Sequence, residues 1–138
     1  MDKAGPAQKQ ERILAGLSAL RSLTAQIAER QAKLKERQSK LKRLHTFGPF
    51  TKHQQSVERF MERCQTVHKE LLKSKKADRV LAQKAQAILQ RDKTDIVAFD
   101  RALDRANEAV DRLQTALKNH LSALDALIVE ADKILEST

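Results

Sequence analysis

The chain has 138 residues, the size of one ordinary domain, with three Gly, two Pro and neither Trp nor Tyr. Hydrophobic residues, mostly Ala and Leu, make up 41%, and charged residues make up 33%, which is typical of long helices. This composition excludes a strand-rich fold, which needs more β-branched and aromatic residues and more turns. The single cysteine, Cys64, excludes an intrachain disulfide and fits a reducing compartment.

Charge is distributed unevenly along this basic chain, whose net charge is +9 and whose pI is about 9.9. Residues 1–91 hold 21 Lys/Arg and 8 Asp/Glu, whereas residues 92–138 hold 6 and 10. Two interpretations follow. Either the acidic segment packs beside the basic one and neutralises part of it, or the basic part faces an acidic partner such as nucleic acid, anionic lipid or an acidic protein.

A seven-residue apolar repeat predicts a first helix over about residues 9–45, after a flexible N-terminus at residues 1–8. The stripe narrows in its second half, where Arg30 and Arg37 take positions beside the repeat. Gly16 lies inside the pattern and is expected to cost roughly 1 kcal/mol against Ala. The repeat consists of Ile13, Leu20, Ile27, Leu34 and Leu41.

The stretch RLHTFGPFTKHQQ at residues 43–55 predicts a turn between helices. Gly48 suits a helix C-cap, Pro49 ends the helix, and Thr51 with Gln54 has capping-box spacing for the next helix. Phe47 and Phe50 flank the turn. We favour a role in closing the end of the core, with contact of this tip to a partner as the alternative.

Two further helices are predicted, over about residues 51–91 and 94–136. The helix at residues 51–91 is apolar at both ends and polar in the middle, at KSKKADR. The helix at residues 94–136 carries a wider apolar stripe, which indicates contact with more than one neighbouring helix. Asp92, Thr94 and Asp95 are candidate N-caps for the third helix. The main apolar columns are Val57, Cys64, Leu71 and Ala85, then Phe60, Val67, Leu81 and Ile88, and finally Ile96, Leu103, Val110, Leu117, Leu124 and Ala131.

Three helices of nearly equal length predict an all-α fold, an elongated antiparallel three-helix bundle forming one domain over residues 9–138. The alternative is a long helical hairpin that dimerises, since no Gly or Pro separates the second and third helices. The architecture resembles rod-like domains of the spectrin-repeat kind. The Trp typical of those repeats is absent here, so the resemblance transfers no residue roles.

A basic patch on the first two helices is the candidate binding surface. RQAKLKERQSKLKR at residues 30–43 has seven Lys/Arg and one Glu, and a second cluster lies at residues 68–79. A solvated surface that keeps the protein soluble is the competing interpretation. The patch comprises Arg30, Lys33, Arg37, Lys40, Lys42, Arg43, Arg59, Arg63, Lys69, Lys73 and Lys76.

Neither a metal site nor a catalytic site is predicted. The four histidines lack ligand spacing, and no glycine-rich phosphate loop or paired carboxylates in a cleft can be recognised. A three-helix bundle also offers no natural deep pocket. We therefore expect no cofactor and no enzymatic activity.

The leading hypothesis is a protein–protein interaction or adaptor module whose basic faces meet an acidic or helical partner. The second is sequence-tolerant binding of nucleic acid or an anionic surface, for which charge is present but aromatic stacking groups are few. The third is self-assembly, with residues 117–135 pairing two chains in a homodimer. No apolar run approaches 18 residues and no secretory signal is recognised, so we expect an intracellular protein, cytoplasmic or nuclear, without a membrane span.

Overall fold

A computed structural model describes residues 5–47, 54–90 and 94–137. Within the first of these ranges, side chains are described from residue 5 to residue 43. Helices account for about 96% of these residues, and no strand occurs among them. They are α1 (Pro6–Phe47), α2 (Gln54–Leu89) and α3 (Ile96–Glu136). Both α1 and α2 contact α3, which confirms the predicted three-helix bundle. Because α2 and α3 are separate helices, the alternative of one long helical hairpin does not apply.

Contacts among the helices divide the chain into two compact units. Unit 1 comprises Met1–Thr24 and Lys73–Leu117, and unit 2 comprises Ala25–Leu72 and Lys118–Thr138. Each unit therefore contains part of all three helices. The single domain over residues 9–138 and the flexibility of residues 1–8 stay predictions. Helix α1 begins at Pro6, earlier than predicted, because the fixed φ and missing N–H of proline suit the first helical position.

The core of unit 1 forms where the predicted apolar columns of the three helices meet. One cluster consists of Ile13, Ala85, Phe99, Leu103 and Ala106, with Leu17, Ile88 and Leu89 packed against it. Ile96 belongs to the same sequence column as Leu103, yet it is 68% exposed. As the first residue of α3, it precedes the turns that pack into this core. The column is therefore correct from Leu103 onward and wrong at its first member.

The core of unit 2 is formed by those members of the predicted columns that lie in this unit, of which Val67 is only half-buried. Phe60 is its largest fully buried side chain. Along α3, a further column of Leu121, Ile128 and Leu135 is half-buried, in keeping with the confirmed contact of this helix with two neighbours. The buried apolar residues of the unit are Ile27, Leu34, Leu41, Val57, Phe60, Cys64, Leu71, Leu124, Leu127, Ala131 and Ile134.

Asp95 caps the N-terminus of α3, as the sequence predicted. The Asp95 side chain accepts a hydrogen bond from the backbone N–H of Ala98 at 3.1 Å, and the Asp95 carbonyl accepts one from Phe99 at 3.0 Å. This satisfies an amide of the first turn that has no partner inside the helix. The cap explains how α3 starts without a Gly or Pro before it.

The predicted turn between α1 and α2 falls outside the described residues. The structure gives no surroundings for Gly48, Pro49, Phe50 or Thr51, nor for the side chain of Phe47. The capping box and the role of the two phenylalanines therefore stay predictions. None of the helices in the described ranges is long and apolar enough to cross a membrane.

Gly16 occupies a close contact between α1 and α3 in unit 1. A Cβ added to Gly16 would clash with Cγ1 of Val110, and the side-chain amide of Gln114 donates to the Gly16 carbonyl at 3.4 Å. Val110 is itself 1% exposed and β-branched, so it has little room to rotate away. The glycine that weakens α1 as an isolated helix is what permits this approach.

Candidate interaction surface

Charged side chains at the start of α1 bind acidic residues of α3 in unit 1. Lys9 Nζ lies 2.8 Å from Oδ1 of both Asp100 and Asp104, and the two carboxylates raise the pKa of Lys9. Arg12 Nη2 lies 2.6 Å from Asp111 Oδ2. Asn107, which is 5% exposed, donates from Nδ2 to the Lys9 carbonyl at 3.2 Å. With the exception of Asp100, these residues line a recess of about 260 Å³.

The two arginines predicted beside the seam of α1 form the corresponding contacts in unit 2. Arg30 Nε lies 3.0 Å from Asp125 Oδ1, and Arg37 Nε lies 3.1 Å from Asp132 Oδ1. Both arginine side chains are about one quarter exposed, at 26% and 24%. Their guanidinium groups thus contact α3 of the same chain, while their stems can cover apolar surface beside the seam.

Three of these ion pairs have the same sequence separation, and we call them the α1–α3 ladder: Lys9–Asp104, Arg30–Asp125 and Arg37–Asp132. The partners in each pair are 95 residues apart. In unit 2, Arg30–Asp125 and Arg37–Asp132 share this separation, and in unit 1 the Lys9–Asn107 and Gly16–Gln114 hydrogen bonds share a separation of 98, so α1 and α3 run parallel within each unit. The cations fall at heptad intervals on α1 and the carboxylates do so on α3, a pattern that the apolar columns do not reveal. The ladder supports the interpretation that the acidic segment neutralises part of the basic one.

Breaking the ladder should destabilise the bundle, and restoring it with exchanged charges should recover part of the loss. We expect Arg37→Glu to lower the free energy of unfolding, because it places two carboxylates side by side. Adding Asp132→Arg should restore attraction, with a coupling of about 0.5–1 kcal/mol for partly exposed pairs. Urea unfolding of the wild type, both single variants and the double variant measures this coupling. Strictly additive effects of the two substitutions would contradict the Arg37–Asp132 pair.

The rest of the predicted patch in unit 2 divides into paired and unpaired cations. Lys33 and Lys40 pair with glutamates one turn earlier on α1, at 3.4 and 3.2 Å, and Arg63 pairs with Glu130 of α3. Arg43, Arg59 and Lys69 form no ion pair with any residue that the structure describes. All three of these unpaired cations are exposed, as is Lys42.

Among the described residues, the part of α2 in unit 1 carries the densest group of cations that have no carboxylate partner. Five basic residues within twelve positions are exposed, and none forms an ion pair with another residue in the described ranges. Asp78, half-buried, is the only carboxylate among them. We call this group the α2 basic segment: Lys73, Lys75, Lys76, Arg79 and Lys84. It contains Lys73 and Lys76 of the predicted patch and adds three residues to it.

A shallow groove between α2 and α3 in unit 2 is a feature that sequence reasoning missed. Its volume is about 390 Å³ and its walls are mostly apolar, with the Arg63–Glu130 pair among the lining residues. The groove forms because small side chains on α3 face α2, which the apolar columns alone do not reveal. The lining residues are Arg63, Thr66, Val67, Ala123, Ala126, Leu127 and Glu130.

Cys64 belongs to the core of unit 2, where it is 5% exposed. Burial raises the pKa of the Cys64 thiol, while a hydrogen bond with Gln38 and the charge of Arg63 act in the opposite direction. His68 is exposed and His120 is half-buried. Among the described residues, no three His, Cys, Asp or Glu side chains are grouped so that they could hold a metal ion.

The geometry defines an all-α three-helix bundle in which α3 neutralises cations of α1 while α2 retains an exposed basic segment. Comparison with protein families, with curated proteins and with solved structures finds no match to this chain.

Proposed function

We propose that this protein is a non-enzymatic helical interaction module, an adaptor that presents basic helix faces to an acidic or helical protein partner. The observation that carries the proposal is the α2 basic segment, whose five cations find no carboxylate among the described residues. By contrast, α3 supplies carboxylates to Lys9 and Arg12 in the same unit. The α1 part of the predicted patch contributes less, because Arg30 and Arg37 already contact α3.

The spacing of the segment gives the proposal an energetic argument. Lys73 and Lys76, and likewise Lys75 and Arg79, lie three or four positions apart, where like charges destabilise a helix by about 0.2–0.5 kcal/mol per pair. An acidic partner would relieve this repulsion and add attraction of its own. Such a gain falls with salt, because the screening length is about 8 Å at physiological ionic strength.

Reversing three charges of the segment tests the proposal. We expect Lys73→Glu, Lys76→Glu and Lys84→Glu together to weaken binding of polyglutamate about tenfold or more, since three exposed pairs at roughly 0.5 kcal/mol each correspond to that factor. The matched control reverses Arg21, Arg101 and Arg105, which are exposed on α1 and α3 of the same unit and form no ion pair with described residues. Both triple variants carry the same net charge.

Fluorescence anisotropy with labelled polyglutamate, over a series of salt concentrations, measures the affinities. A control variant that retains most of its affinity supports a localised binding surface. Equal losses in both triple variants would show that only net charge matters. Absence of binding by the wild type at low salt would remove the proposed function.

Nucleic-acid binding is the second candidate, because the same unpaired cations suit phosphate groups. It predicts sequence-independent affinity whose logarithm falls linearly with the logarithm of salt concentration. A mobility-shift series with duplex and single-stranded DNA and RNA, alongside polyglutamate, separates the two candidates. Tighter binding of nucleic acid than of polyglutamate at equal ionic strength would favour the second.

Self-assembly is a weaker candidate. The apolar columns at residues 118–135 are buried or half-buried within unit 2, which leaves Val129, at 54% exposure, as the exposed large apolar residue of that stretch. Sedimentation equilibrium gives the mass and decides between monomer and dimer.

A further inference from the structure

We infer that an acidic amphipathic helix docks along the exposed side of α2 in unit 1, an inference that rests on the proposed function and names its partner class. Five positions on this side of α2, between residues 73 and 87, are separated alternately by three and four residues, which is the spacing of a coiled-coil seam. All of them are exposed, and they lie on the opposite side of α2 from the buried Ala85. We call this line the outer seam: Lys73, Lys76, Val80, Gln83 and Ala87.

The outer seam has the extent of a helix-binding surface. Its fifteen positions, from 73 to 87, correspond to about 21 Å of helix at 1.5 Å per residue, or four turns. Val80 is 44% exposed and Ala87 is also exposed, so the line offers apolar contact within a basic surface. Lys73 and Lys76 lie at one end, and Lys84 borders the line near the other. A flexible polyanion would use the lysines alone and gain nothing from Val80.

Charge identifies the partner. A second copy of the same seam would place lysines against lysines in a parallel pair, and Lys73 and Lys76 against Ala87 and Gln83 in an antiparallel pair. Neither arrangement gives the lysines a carboxylate, which disfavours a homodimer through this face. A wholly apolar helix would desolvate Lys73 and Lys76 without giving them partners, which is costly. A helix with an apolar line flanked by glutamates suits both the lysines and the apolar part of the outer seam. Its carboxylates can reach the lysines while its apolar side chains cover Val80. Charged residues beside a helical seam commonly set partner choice in this way.

The test compares two synthetic acidic peptides of identical composition. In one 21-residue helix, leucines follow the alternating three–four spacing and glutamates flank them; in the other the order is shuffled so that the two residue types do not segregate. Full-length wild-type protein should bind the amphipathic peptide about tenfold more tightly than the shuffled one, since burying apolar contacts of a few tens of Å² on each side supplies that difference.

Val80→Gln separates the seam from charge alone. We expect this variant to lose roughly three- to fivefold in affinity for the amphipathic peptide, as part of one valine contact is removed, while its affinity for polyglutamate stays unchanged. Val97→Gln is the matched control, because Val97 is 63% exposed on α3 of the same unit and lies outside the seam. It should leave both affinities unchanged.

The possible outcomes separate docking of an amphipathic helix from the proposed function, binding of an acidic partner, on which it rests. If both peptides bind equally and Val80→Gln matches the wild type, the docking helix is overturned, while polyglutamate binding still supports the proposed function. If no acidic probe binds, both fail. If DNA binds more tightly than the amphipathic peptide, a nucleic-acid partner replaces the helix.

Discussion

Replacing Phe60 by alanine should lower the free energy of unfolding by about 3–5 kcal/mol. Phe60 is 0% exposed and is the largest fully buried side chain of unit 2. The substitution removes most of an aromatic side chain and leaves a cavity that surrounding helices can fill only in part. Because a domain of this size is stable by only about 5–15 kcal/mol, the loss is a large share of its stability.

Far-UV circular dichroism in a urea series is the appropriate measurement, since the chain has no Trp or Tyr for fluorescence. Leu72→Ala is the matched control: Leu72 also lies on α2 in unit 2, but it is 51% exposed. It should cost no more than about 1 kcal/mol, in line with other surface substitutions. Equal shifts of the two unfolding midpoints would contradict the burial of Phe60.

Replacing Gly16 by alanine should destabilise the protein although alanine is the better helix former. The change favours an isolated helix by about 1 kcal/mol. In unit 1, however, the new methyl group meets Cγ1 of the buried Val110, and overpacking of this kind typically costs about 1–3 kcal/mol. We therefore expect a net loss of up to about 2 kcal/mol, where the sequence alone predicts a gain.

A double-mutant cycle with Val110→Ala tests the cause. Truncating Val110 opens the space that the Gly16→Ala methyl group needs, so the double variant should be more stable than the sum of the single effects by about 1 kcal/mol or more. Ser18→Ala serves as the control, because Ser18 is exposed on the same part of α1 and its replacement should change stability by only a few tenths of a kcal/mol, in the stabilising direction. A gain on Gly16→Ala similar to that control would contradict the close contact.

Much of the fold follows from local patterns that a single sequence displays. The column of Ile13, Leu20, Ile27, Leu34 and Leu41 is buried throughout, because residues seven apart return to nearly the same side of a helix. Asp95 caps α3 because a short acidic side chain reaches the free amides of the first turn. Ile96 departs from its column because a periodic pattern does not show where packing begins.

The candidate surface was harder to predict, since it depends on which cations find partners. Arg30 and Arg37 looked available for a partner from their place in the basic stretch at residues 30–43. In the structure they bind Asp125 and Asp132, which lie 95 residues further along the chain on α3. Three cations that were not part of the predicted patch joined the candidate surface, because no carboxylate of the described residues pairs with them: Lys75, Arg79 and Lys84.

Three helices, their buried stripes and the excess of positive charge can be predicted from the amino-acid sequence alone. Helix formation and amphipathicity depend on residues within a few turns of one another. Three features became visible only in the packed bundle: α3 neutralises Lys9, Arg30 and Arg37, Gly16 makes room for Val110, and most of the unpaired cations among the described residues of unit 1 lie on α2. These features depend on the register between helices. That register is set by the packing of side chains far apart in the sequence, which local periodicity does not specify.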